Sequence, residues 1–254
     1  ILNNELLKLL NINLNNIEIS NTNYRSKNIF SFNLDSKFKM KNLTIDSDIY
    51  IFNLDYKKPS FLNDYIQNKK NFIKIKDHKV KLIFKKDNLA IDGFGLIKIE
   101  NKFDDIKYKI NLKNKNINLN SRLNLSELKL NRQEYLKFIF PKLDKMISLK
   151  DQEIEIDYNN DDISIKGEGA IKISNEFEKI DFNILKTKDK YKFNTKIDLK
   201  KTLLNIDLLN FEKKDELKTT INISGIYNKN KVINLKKFSI INKNNKILLE
   251  DLLI

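Results

Sequence analysis

The chain contains itself twice. Advanced by 74 positions, Asp77–Ile110 (DHKVKLIFKKDNLAIDGFGLIKIENKFDDIKYKI) lies without a gap on Asp151–Ile184 (DQEIEIDYNNDDISIKGEGAIKISNEFEKIDFNI), with 12 of 34 positions identical. The shared positions include Gly93/Gly167 and Gly95/Gly169, and most others keep apolar character, as in Val80/Ile154, Leu82/Ile156, Phe84/Tyr158 and Tyr108/Phe182. Self-similarity at a fixed period marks an architecture of stacked copies, each unable to bury its apolar face alone. The chain is therefore expected to be built from copies of one β unit. Three stretches are read on that basis: 1–76 as an N-terminal β repeat with short helices, 77–150 as copy one, and 151–254 as copy two with continuing strands. They are expected to form one continuous groove and to belong to a longer protein, since the chain opens at Ile1 and ends on an apolar strand.

Within and around the copies the apolar residues alternate with polar ones. Phe30, Phe32 and Leu34, then Leu43 and Ile45, then Val80, Leu82 and Phe84 follow that rule, as does the run from Leu89 through Ile91, Gly93, Gly95 and Ile97 to Ile99. A period of two places one apolar and one polar face on each strand. Lys85–Asn88 and Asn159–Asp162 read as tight turns, because Asn and Asp tolerate the left-handed backbone that hairpins demand. Short connections make neighbouring strands antiparallel, a meander. Helices are expected at Ile1–Leu10 and across Arg132–Ile147, broken or kinked at Pro141, and a short helix or a loop over Phe61–Lys69. Ile12, Leu14 and Ile17 read as the first strand positions.

Little in the sequence points to chemistry. One histidine and no cysteine leave no Cys/His set for a structural zinc site and no cysteine nucleophile, and His78 is the one imidazole a serine triad could use. His78 reads as a solvent-facing residue, and Gln152 at its place in the second copy speaks against a shared role. The G-x-G pairs lack the third glycine and the following helix of a phosphate loop, and inside β alternation they read as a bulge, a bend or a close backbone approach. Asp104-Asp105 could be proposed as an acid–base pair, but nothing places either in a groove; Glu153, Glu155 and Asp157 read as the solvated face of a strand. The formal charge of +14 would ordinarily raise nucleic acid or anionic lipid as partners. The lysines are dispersed, as AT-rich codons produce, and the aromatics Phe30, Phe32, Tyr108, Phe182, Tyr191 and Phe193 fall on the apolar face. A single-strand platform wants rings and cations on one surface, so no nucleic-acid partner is expected.

The apolar face is the remaining feature. A sheet with one apolar side must cover it with helices, another sheet or a ligand, and the few short helices cannot cover about fourteen strands. Either the sheet closes on itself or it curls into a trough whose stripe is functional. The unit seen in Ile165–Ile173, Ile180–Ile184, Tyr191–Leu199 and Leu204–Lys213, with Ile49–Lys58 echoing the last, resembles the AsmA-like repeat family of bacterial envelopes (the TamB/YhdP type). That resemblance implies an all-β, elongated, twisted antiparallel sheet curled into a groove, a β-taco. It further implies a non-enzymatic bridge, without cofactor or metal, that guides acyl chains of phospholipid between inner and outer membranes. The protein would then sit in the periplasm, held to the inner membrane by a segment outside this chain.

The groove would be lined in copy one by Val80, Leu82, Phe84, Leu89, Ile91, Ile97, Ile99, Ile106, Tyr108 and Ile110. In copy two Ile154, Ile156, Tyr158, Ile163, Ile165, Ile171, Ile173, Ile180, Phe182, Ile184, Tyr191 and Phe193 would do so. Asp in place of Ile97 or Ile171 is expected to block lipid passage with little effect on expression. The alternative is a structural or adhesive β-repeat protein that buries the same residues against one another and carries no lipid.

Overall fold

The computed structural model describes residues 18–58, 71–86, 88–114, 116–132, 145–173, 175–206, 211–214, 216–228, 232–243 and 245–253. These form fifteen strands and, among the described residues, no helix. The first ten are β1 (Ile19–Leu34), β2 (Met40–Lys57), β3 (Phe72–Lys85), β4 (Asn88–Lys98), β5 (Asp104–Lys113), β6 (Asn116–Asn131), β7 (Met146–Asn159), β8 (Asp162–Ile173), β9 (Glu176–Thr187) and β10 (Lys190–Leu199). A small hairpin follows, β11 (Leu204–Ile206) with β12 (Phe211–Lys213), and then β13 (Thr219–Asn228), β14 (Ile233–Asn242) and β15 (Lys246–Leu253).

Thirteen strands pair in chain order into one antiparallel sheet, β1 to β10 and then β13 to β15; β11 and β12 pair only with each other. β1 and β15 are its two edges, so the sheet is open rather than a closed barrel. The helix expected at Ile1–Leu10, the short helix or loop over Phe61–Lys69, and the strand positions Ile12, Leu14 and Ile17 lie outside the described residues. Of the helix expected over Arg132–Ile147, residues 133–144 also lie outside the described residues, and its last positions are overturned. Met146 and Ile147 open β7 opposite Asn131 and Leu130, because Ile147 gains more by joining the buried apolar rows than by extending a short helix.

The sequence repeat is a four-stranded unit. Advancing β3 by 74 residues gives Met146–Asn159, the whole of β7; β4 and β5 advance into β8 and β9, and β6 advances over the whole of β10. Backbone irregularities repeat with it. The residues with positive φ at the tight turns are Lys86 and Asn114 in the first unit, and Asn160 and Lys188 in the second. Two of the four are lysines, so the left-handed place is not reserved for Asn or Asp. Asp77 (φ 51°) and Asp151 (φ 49°) sit at matching β-bulges, inside β3 and β7, where the register to the next strand shifts by one. An extra residue in one strand re-aims the side chain that follows it. At these bulges that side chain is His78 or Gln152.

Candidate functional site: the apolar face

Cross-strand partners share a face, so the register assigns every predicted lining residue. One row runs from Ile49 and Val80 through Gly93, Tyr108, Ser121, Ile156, Ile165, Ile184, Phe193 and Gly225 to Leu235 and Leu252. These twelve strands, at about 4.8 Å each, extend it to roughly 50 Å. A parallel row carries Leu82, Ile91, Ile110, Leu119, Tyr158 and Ile163. All of the lining residues named from the sequence are at least half-buried.

The two repeats differ in depth. In the first, only Leu89 is buried, whereas Ile154, Ile171, Ile173 and Ile180 are buried in the second. The latter join a dry cluster with Leu123, Leu125, Leu199, Ile221 and Ile240, into which Phe211 of β12 also packs. Ile221 has no exposed surface at all. The remainder of the face, notably Val80, Leu82, Ile91, Ile110, Tyr158, Ile163, Ile165, Ile184, Tyr191 and Phe193, is only half-buried. Thus part of the apolar face is core and part still meets solvent.

Close approach explains the glycines. A Cβ on Gly93 would lie 2.3 Å from the Tyr108 ring, and one on Gly167 would lie 2.3 Å from the Phe182 ring, in each case the directly opposed cross-strand residue. Missing side chains let these rings lie flat across the sheet. Gly95 and Gly169 make room in the same way for His78 and Gln152, at 2.4 and 2.1 Å.

His78 therefore overturns the surface reading: it is 2% exposed, on the apolar face, its ring 6.1 Å from that of Tyr108. Its Nδ1 lies 3.3 Å from the Lys76 carbonyl. Gln152 does the equivalent work, with Nε2 donating to the Lys150 and Ala170 carbonyls at 3.0 and 2.9 Å. Both polar side chains tie down the backbone of their bulge, which is a shared role. Burial pushes the His78 pKa below its ordinary 6.5, partly opposed by the Lys76 carbonyl. The unfolded chain then takes up a proton first, so the His78 contribution is complete above pH 6.5 and erodes as pH falls below it, by at most about 1.4 kcal/mol per pH unit. We expect His78→Gln, which copies the second repeat, to fold and to flatten the fall in melting temperature between about pH 6.5 and 5 relative to the parent. An unchanged difference between the two proteins across that window would contradict this role.

Asp104 is a second correction, since it too is buried on the apolar side. Its Oδ1 accepts the Ser126 N–H at 2.9 Å. Glu178, its counterpart 74 residues on, accepts the N–H groups of Lys200, Lys201 and Thr202 at 2.9, 2.8 and 2.6 Å. Ser126 and Lys200 are also repeat equivalents. Each unit thus uses a buried carboxylate to hold the backbone near the end of its run along the neighbouring strand. Nearby Lys213, fully buried, donates from Nζ to the Lys200 carbonyl at 2.7 Å and to the Lys214 carbonyl at 3.1 Å. These acids hold structure together rather than act as an acid–base pair.

The polar face contains aromatics that alternation alone concealed. Arg25, Tyr50, Lys79, Phe94 and Lys107 form one row across β1–β5. The Arg25 guanidinium stands 5.3 Å from the Tyr50 ring and Lys79 Nζ 5.7 Å from that of Phe94, in a trough of about 570 Å³. Rings and cations do meet here, contrary to the sequence reading. In the second unit the equivalents of Lys79, Phe94 and Lys107 are Glu153, Glu168 and Asp181. The charge is reversed there, so a cationic face is not a property of the repeat. Lys81 pairs with Asp46 and Asp48, and Arg122 with Glu155, as such a solvated face requires. Among the described residues no group of three or more His, Asp or Glu is placed to hold a metal ion.

Fold and face together define an antiparallel β-repeat protein whose main sheet is open, with an apolar face that is part core and part half-buried. No family model, curated protein or solved structure matches the chain.

Proposed function

We propose that this chain is a non-enzymatic segment of a lipid-conducting bridge in a bacterial envelope, of the AsmA-like kind. In this reading the sheet curls about its apolar rows, and phospholipid acyl chains move along them between inner and outer membranes. The supporting observation is the row from Ile49 to Leu252, half-buried at most of its positions, which continues across twelve strands without a charged residue on it. Moving a lipid tail of about 15 methylenes through water costs about 0.8 kcal/mol each, on the order of 12 kcal/mol. A continuous apolar track removes most of that barrier while the headgroup stays wet, and no covalent step is needed. The carrier would work in the periplasm.

The dry cluster around Leu199, Ile221 and Ile240 favours a second reading, a structural β-repeat whose apolar face serves only its own core. Native mass spectrometry of the purified chain separates the two. Under the conduit reading it carries phospholipid, and Ile110→Asp, at a half-buried place between Ile91 and Leu119, removes most of that lipid while the fold survives. A chain that comes off its final column free of lipid, and takes up no fatty-acid probe, leaves the structural reading.

A further inference from the structure

The β1–β2 hairpin ends in a loop with an unusual occupant. The Phe38 N–H donates to the Asp35 carbonyl at 2.9 Å and the Asp35 N–H to the Lys39 carbonyl at 3.0 Å, closing the turn. The Asp35 carboxylate accepts the N–H groups of Lys37 and Lys39, both at 2.9 Å, and pairs with Lys41 at 3.3 Å. The loop is thus firmly built. Phe38 occupies its left-handed position, with φ 57°. Gly or Asn suits that place, and a bulky side chain there is strained. The strain is not repaid by packing, because Phe38 is 84% exposed, with Leu34 and Met40 beside it at 55% each. A rigid turn held in an unfavourable conformation so as to project an aromatic ring into solvent points to a function for the ring.

Chemistry selects the partner. The apolar end is Leu34, Phe38 and Met40, and interleaved with it are Lys37 and Lys39, which make no ion pair among the described residues, and Lys41, which neutralises Asp35. An apolar tip inside a collar of lysines matches the layering of a membrane surface, with acyl chains below and anionic phosphates above. Phe30, half-exposed on β1 opposite Ile45, continues the apolar stripe from near the tip to the rows of the sheet. We propose that the β1–β2 hairpin tip inserts Phe38 into the interface of an anionic lipid membrane, with Lys37 and Lys39 on the phosphates. This surface does not depend on the conduit reading: the tip would bind membranes even if the apolar rows carried nothing.

The test uses the whole chain with vesicles of mixed phosphatidylglycerol and phosphatidylethanolamine, against vesicles of pure phosphatidylcholine, by co-sedimentation. Phe38→Gly relieves the backbone, so it should melt at or above the parent temperature while partitioning to the anionic vesicles falls about tenfold or more. Phe38→Asn, which also tolerates the left-handed backbone, should behave alike, and Lys37→Glu with Lys39→Glu should lose binding only on anionic vesicles. Equal partitioning of parent and Phe38→Gly would overturn the proposal. So would parent binding that does not distinguish the two vesicle types, or binding to oligothymidylate that exceeds binding to the vesicles.

Discussion

Glu178→Ala should be among the most damaging single substitutions in this chain, costing about 3 kcal/mol in urea denaturation. The change strips acceptors from three backbone N–H groups at Lys200, Lys201 and Thr202, in a place where the carboxylate itself is buried. Hydrogen bonds to a charged group are worth about 1.5–3 kcal/mol, and a donor left dry costs more than the bond gained. The carboxylate's own release from burial offsets part of the sum. Asp104→Ala, which frees only the Ser126 N–H, should cost about a third as much. Glu178→Gln should fall between: Oε1 can still accept from Lys201 and Thr202, but an amide nitrogen would then face the Lys200 N–H. Equal losses at 104 and 178 would mean that the backbone finds other acceptors and that these carboxylates are bystanders.

Ile171→Asp should be more severe still, about 4 kcal/mol or beyond, and should abolish soluble expression. Ile171 is buried in the dry cluster and directly opposite Glu178, so the new carboxylate would be desolvated beside an existing one. This revises the expectation that Asp at Ile97 or Ile171 spares the fold. Ile97, its repeat equivalent, faces Asp104 but is only half-buried, and water can reach the new charge. Ile97→Asp should therefore cost half as much, about 2 kcal/mol, and yield folded protein. Circular dichroism melts of the pair decide it. Similar melting temperatures would show the second repeat to be as open as the first, and would strengthen the case for an apolar track along the whole sheet.

Much of this architecture could be read directly from the residues. The repeat at 74, the turns at 86 and 160, and the assignment of Val80, Ile91, Tyr108, Ile156, Ile165 and Phe182 to one face all follow from local alternation and self-similarity. Asp104 was legible too, since it keeps the same phase as Ile106 and Tyr108 and so had to sit among apolar residues. Its exemption from the solvent face was overlooked because a carboxylate is ordinarily an outward signal. His78 was legible in the same way, since it keeps the phase of Val80, Leu82 and Phe84, but a polar imidazole just ahead of those residues reads as an outward signal. What the bulge at Asp77 adds is that Ile73 and Ile75, of the opposite phase, come onto the same face.

Strand identity, antiparallel order and facing are set within a few residues of each position, because a period of two is a property of the extended backbone itself. Depth is not. Whether Ile97 stays half-wet while Ile171 is dry, or whether Phe38 ends in solvent rather than under a neighbour, depends on what other parts of the chain lie over that point. Two copies with the same alternation can thus share a sheet and still differ in cover, and only the assembled tertiary structure fixes that difference.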